Sequence, residues 1–90
     1  PGASDVYCVL EVADSSLGHD RSKKLEIYAR AGIRQYVIVN LVDRQLEVFE
    51  QPAPGDGTYA VATVVGKGDS VSLCVGETAR LDVPAGRLLP

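Results

Sequence analysis

Ninety residues make one small domain with a thin stability margin, and a hydrophobic share of 46% with 23% charged residues is that of a soluble globular chain. No apolar run reaches the roughly 18 residues of a membrane span and no charged-then-apolar leader opens the chain, so the expectation is a cytoplasmic protein without a membrane partner. A net charge of −3 argues against bulk electrostatic binding of nucleic acid, and one histidine with two distant cysteines does not make a zinc site.

The first element in chain order is a strand over 5–12. Side chains alternate across a strand. Val6, Cys8, Leu10 and Val12 form a wholly apolar face and are expected in the core. Asp5, Tyr7, Val9 and Glu11 form the other face. The near-continuous apolar run predicts a central strand covered on both sides. Asp14, Ser15, Ser16 and Gly18 then break the pattern and offer N-cap chemistry to a helix over about 19–31. Gly32 is placed as its left-handed C′ residue, with Ile33 as the apolar companion. The β-prone run from Gln35 to Asn40 follows, and strand–helix–strand at this spacing predicts a parallel pair. A turn at Val42–Arg44 leads to a hairpin mate over 46–50. The segment 52–57 reads as a loop, 59–65 as a strand, and the Gly66 and Gly68 pair as a hairpin turn, not a phosphate cradle. Short strands over 71–75 and 79–83 are expected to complete the sheet, before one helical turn in the tail. The fold class is therefore α/β (α+β): a mixed sheet with one main helix, followed by antiparallel strands. Residues 1–41 make a β-α-β core and 42–90 a β-rich C-terminal part of a single domain.

Glu11 is the first candidate for chemistry. It ends a buried strand between Leu10 and Val12, where a carboxylate is costly unless a cation, a metal or hydrogen-bond donors compensate it. Positions 20, 24, 28 and 31 share one helix face. If that face packs over the strand, Asp20, Lys24 and Tyr28 approach Glu11. The plain reading is a Glu–Lys pair that orients the helix. The chemical one is metal-dependent phosphodiester hydrolysis, which needs an acid on Mg²⁺, a backbone carbonyl beside it and a nearby lysine. Five of the nine basic residues (Arg21, Lys23, Lys24, Arg30 and Arg34) fall in one stretch, which makes either a solvated helix face or a local phosphate-binding patch. His19 reads as an exposed or capping residue. Cys8 and Cys74, each within an apolar run, read as buried reduced thiols.

The 36 residues from Asp5 to Asn40 resemble the signature of the Uma-type restriction endonuclease family of the PD-(D/E)XK nuclease superfamily. A hydrophobic strand ends in Glu11-Val12, and the serine pair Ser15-Ser16 follows. Asp20-Arg21, Lys24-Leu25 and Tyr28 come next, then the Ala31-Gly32-Ile33 turn and the Tyr36-x-Ile38-Val39 strand. The remainder resembles the family's C-terminal β region less tightly. The resemblance implies a restriction-endonuclease-like mixed sheet and a Mg²⁺ cofactor, with Mn²⁺ as substitute, acting on DNA. It makes Glu11 the (D/E)XK acid and a metal ligand, and Val12 a ligand through its backbone carbonyl. It places at Lys24 the catalytic lysine that the superfamily carries at the position of Ala13. Asp20 and Tyr28 become supporting residues, and Arg21 and Lys23 DNA contacts.

The superfamily's Pro-Asp acid on an earlier strand lies outside this chain. Asp5 does not replace it, because six residues of extended strand separate the two acids by roughly 20 Å. The expectation is thus the C-terminal part of the domain, without the upstream acidic ligand that catalysis needs. The competing expectation is a non-catalytic nuclease scaffold that associates through an exposed sheet edge, most simply as a homodimer.

Overall fold

The computed structural model describes residues 7–13, 17–76 and 79–89, with side chains in the helix described from Lys23 onward. The elements are β1 (Cys8–Ala13), α1 (Leu17–Arg30), β2 (Gln35–Asn40), β3 (Gln45–Ala53), β4 (Thr58–Gly66), β5 (Ser70–Cys74), β6 (Arg80–Pro84) and a 3-10 turn, Ala85–Arg87. Strands β1 to β4 form one mixed sheet in sequence order, with β1 parallel to β2 and the other neighbours antiparallel. The expected α/β class with its parallel β-α-β unit is therefore observed.

Helix α1 ends where the sequence places its stop. Gly32 takes a φ of +76°, its N–H donates to the Ala29 carbonyl, and the Ile33 N–H donates to the Tyr28 carbonyl. These two bonds are the Schellman closure, which satisfies carbonyls that the helix itself cannot. The helix is then clamped from the β3–β4 turn. Arg30 donates to the carbonyls of Pro54 and Gly55 and pairs with Glu26. Gly57 is buried there at a φ of +67°, so close that a Cβ would lie 2.8 Å from Glu26 Cγ.

Every residue of β2 is buried, so the sheet has two covered faces at its centre. On one face, Val37, Val39, Leu46 and Val48 pack with Val71, Ala85 and Leu89. On the other, Tyr36 and Ile38 lie beneath α1, whose Ala29 is fully buried. The layers are helix, four-stranded sheet and a two-stranded antiparallel sheet of β5 and β6.

Two expectations are corrected. Strands β5 and β6 do not complete the first sheet; they pair with each other and lie across its apolar face. The 66–69 turn accordingly carries the chain from one sheet to the next and closes no hairpin. The physical reason is that β2 and β3 are apolar on both faces, and the face away from the helix must be buried by something. Nor is β1 central: it is an edge strand of the described sheet. Its apolar face is only partly core. Cys8 packs against the cluster, but Leu10 is 43% and Val12 69% exposed, because the small second sheet does not cover that end. Asp5 and the serine pair lie outside the described residues.

Candidate active site at the end of the parallel strand

Register and alternation set the site. Glu11 pairs with Ile38, so its side chain shares the helix-side face with Val9, Ala13, Tyr36 and Ile38. One turn apart on α1, Lys24 and Tyr28 both reach it. Lys24 Nζ lies 2.6 Å from Glu11 Oε2, and Tyr28 Oη donates to Glu11 Oε1, also at 2.6 Å. The structure thus brings together three of the residues singled out in the sequence.

Both carboxylate oxygens are engaged by donors that favour the anion. The Lys24 and Tyr28 hydrogen bonds hold the Glu11 carboxyl below its ordinary range, against the opposing effect of partial burial. The same bond, with burial, pushes the Tyr28 phenol above its ordinary value. The Glu11 side chain is 23% and the Lys24 side chain 46% exposed, so the pair sits at the surface end of the helix–sheet seam. Tyr28 is fixed from behind by a row of rings. Its centroid is 5.0 Å from that of Tyr36, Tyr36 stacks on Phe49 at 5.8 Å, and Phe49 meets Tyr59 at 6.2 Å. Tyr59 closes the row by donating to the Ile33 carbonyl at 2.7 Å.

The remaining candidates separate. Lys23 is exposed, one helix position away from the row that reaches Glu11. Asp20 and Arg21 occupy positions of α1, but their side chains, like that of His19, lie outside the described residues. Val12 presents an exposed side chain to the opposite face. The carbonyls of Tyr7 and Ala13 accept bonds from Gln35 and Leu41, on the β2 side. Main-chain groups alternate along a strand, so the Val12 carbonyl faces away from β2.

Sequence reasoning passed over a second polar group on this face. Glu47 of β3 is in register with Ile38, one strand beyond Glu11, and is only 7% exposed. Asn40 Nδ2 donates to Glu47 Oε2 at 2.9 Å and to Asp43 Oδ2 at 3.1 Å, while Asn40 Oδ1 accepts the Asp43 N–H. A signal was present: Glu47 stands between Leu46 and Val48 as Glu11 stands between Leu10 and Val12. Among the described residues, no three His, Cys, Asp or Glu side chains cluster as a metal site.

The family model Uma2, described as "Putative restriction endonuclease", matches residues 1–84. The chain belongs to the Uma2 family. The match runs through the β-rich part as well as the β-α-β core, so both layers of strands lie within the family's domain. The Uma2 assignment makes endonuclease the functional class to set beside the Glu11 geometry. No curated protein and no solved structure matches the chain.

Proposed function

We propose that this chain supplies the Glu11 side of a metal-dependent DNA endonuclease site of the PD-(D/E)XK type, as the C-terminal part of that domain. The observation that supports this reading is the carboxylate at the exposed end of the parallel strand, held by a lysine and a tyrosine from the crossover helix. Glu11 is the acid of the (D/E)XK element. Lys24 takes the place of the superfamily lysine, since β1 carries Ala13 at that position. Tyr28 and Asp20 are supporting residues; Tyr28 holds the carboxylate in one orientation.

The donor set fits a hard cation in kind. Glu11 offers carboxylate oxygen and Val12 its carbonyl, on adjacent residues at one strand end, and Mg²⁺ is commonly held by one or two carboxylates with water and phosphate oxygen completing the shell. Two protein oxygens are too few for a self-sufficient site, so a further acid must come from outside the described residues. A bound Mg²⁺ or Mn²⁺ would supply Lewis acidity and an activated water. The chain's own part is more modest. Glu11 stays anionic across the neutral range, Lys24 sets a positive charge beside the place where phosphate charge develops, and Lys23 and Arg21 offer contacts to the DNA backbone.

Calorimetric titration with Mg²⁺ and Mn²⁺, on the chain and on Glu11→Gln, tests the proposal. Cation binding that disappears in the variant is expected. Equal binding by both proteins would remove Glu11 from any metal site, and binding by neither would mean that the chain alone lacks a complete site.

A second reading is favoured by the open flank of β1. The strand is an edge of the described sheet, and Leu10 and Val12 are exposed on one face of it. Such an edge pairs readily with another chain. The scaffold then acts by self-association as a two-fold dimer, without catalysis. Sedimentation equilibrium decides: a dimer that Leu10→Lys converts to monomer supports this reading, and a monomer at all concentrations removes it.

A further inference from the structure

The two cysteines were expected to be buried reduced thiols, and both are free in the structure, Cys74 buried and Cys8 partly so. Their surroundings argue for more. Cys8 is in register with Gln35 of β2, so the two side chains stand side by side on the face that β5 and β6 cover. Gln35 is fully buried and reaches across the gap between the sheets. Its Oε1 accepts the Cys74 N–H at 2.8 Å, and its Nε2 donates to the Ser72 carbonyl at 2.8 Å. One side chain therefore joins the row that holds Cys8 to the backbone of Cys74. Cys8 is half-buried, Cys74 is buried, and both border the same layer. Cys74, itself 6% exposed, borders an open pocket of about 440 Å³ that Arg34, Glu50 and Arg80 also line.

We propose that Cys8 and Cys74 are a redox pair, converted by a low-molecular-weight disulfide into one intramolecular disulfide that ties β1 to β5. The exchange begins at the pocket that Cys74 borders. Cys74, at the pocket, attacks the reagent as its thiolate, expels one small thiol and becomes a mixed disulfide. Cys8, deprotonated in turn, attacks the Cys74 sulfur and releases the second small thiol. The two protein thiols together lose two electrons and two protons, and the reagent gains both. The second step is the slow one: burial above all, with the nearby Cys74 and Glu50, pushes the Cys8 thiol up to about 11. The bond would pin the strand that carries Glu11, three positions beyond Cys8. This inference stands independently of any nuclease activity.

The test uses the full chain and oxidised glutathione, followed by denaturation, alkylation and mass spectrometry. The expected product is monomeric, lighter by two hydrogen atoms, closed to alkylation, and yields one linked pair of tryptic peptides carrying Cys8 and Cys74. Because the bond closes a long loop in the unfolded chain, the melting temperature should rise by about 5 °C or more and return on reduction. The rate of closure should increase with pH through the alkaline range. Two glutathione adducts per chain, two alkylated thiols or a covalent dimer would overturn the proposal. Cys8→Ser should stop at a single adduct on Cys74; if that variant does not fold, the products of the native chain decide alone.

Discussion

The two faces of the four-stranded sheet are built from the same strands and do different work. On the face covered by β5 and β6, the buried cluster of Val37, Val39, Leu46, Val48, Val71, Ala85 and Leu89 is entirely apolar. On the helix face the apolar contacts give way to rings and then to charge: Tyr36 and Phe49 lead to Tyr28, and Tyr28 to Glu11. The first face gains its stability chiefly from burial, which is strong and undirected, with Gln35 bonding across to β5 at its margin. The second holds a carboxylate in one orientation, which requires donors at fixed places and a helix that cannot slide. The clamp of Arg30 and Gly57 on the far end of α1 serves that need.

The contrast predicts a ranking of substitutions. Leu46→Ala, on the dry face and fully buried, should cost the most, about 3 kcal/mol in urea unfolding, with the Glu11–Tyr28 contact intact in the folded fraction. Gly57→Ala should cost about 1–2 kcal/mol, because the left-handed backbone and the close approach of Glu26 and Arg30 both resist a Cβ. Unlike the first, it should also loosen α1, seen as faster amide exchange in the helix.

Tyr28→Phe should cost about 1 kcal/mol and leave the fold unchanged. Its sharper readout is the Glu11 titration by NMR, which should move up towards the ordinary carboxyl value as one of its two donors is lost. The sign of the pH dependence follows. Glu11 titrates lower in the folded chain than unfolded, so the stabilisation from its contacts is complete above the ordinary value of 4.5 and fades as pH falls through the folded value. For a pair this exposed, the loss should be about 0.5–1 kcal/mol. Tyr28, with its phenol raised, adds the opposite slope: its contribution is present below the ordinary value of 10 and is lost as pH rises through the folded value. Glu11→Gln should flatten the acid limb. The smallest effect belongs to Val12→Ser, on the exposed end of the apolar face, which should change stability by less than about 0.5 kcal/mol. A larger loss would mean that something covers β1 in solution.

Much of this was legible in the sequence. Local chemistry determined α1 and its Gly32 stop, the strongly β-prone Gln35 to Asn40 run and the parallel order of the β-α-β unit. Helical spacing also brought Lys24 and Tyr28 to the acid, because i and i+4 positions share a face whatever surrounds them. What only the tertiary structure decided were questions of partners. An apolar alternation says that a face can be buried, not which element buries it. The pattern that predicted a central β1 therefore describes an edge strand with Leu10 and Val12 exposed. The same ambiguity hid the second sheet, since short strands at 70–74 and 80–84 extend a sheet or cover one with equal local propensity. It also hid the Gln35 bridge from β2 to the backbone of Ser72 and Cys74. Those bonds join residues far apart in the chain, and their cost and reward exist only once the layers are stacked.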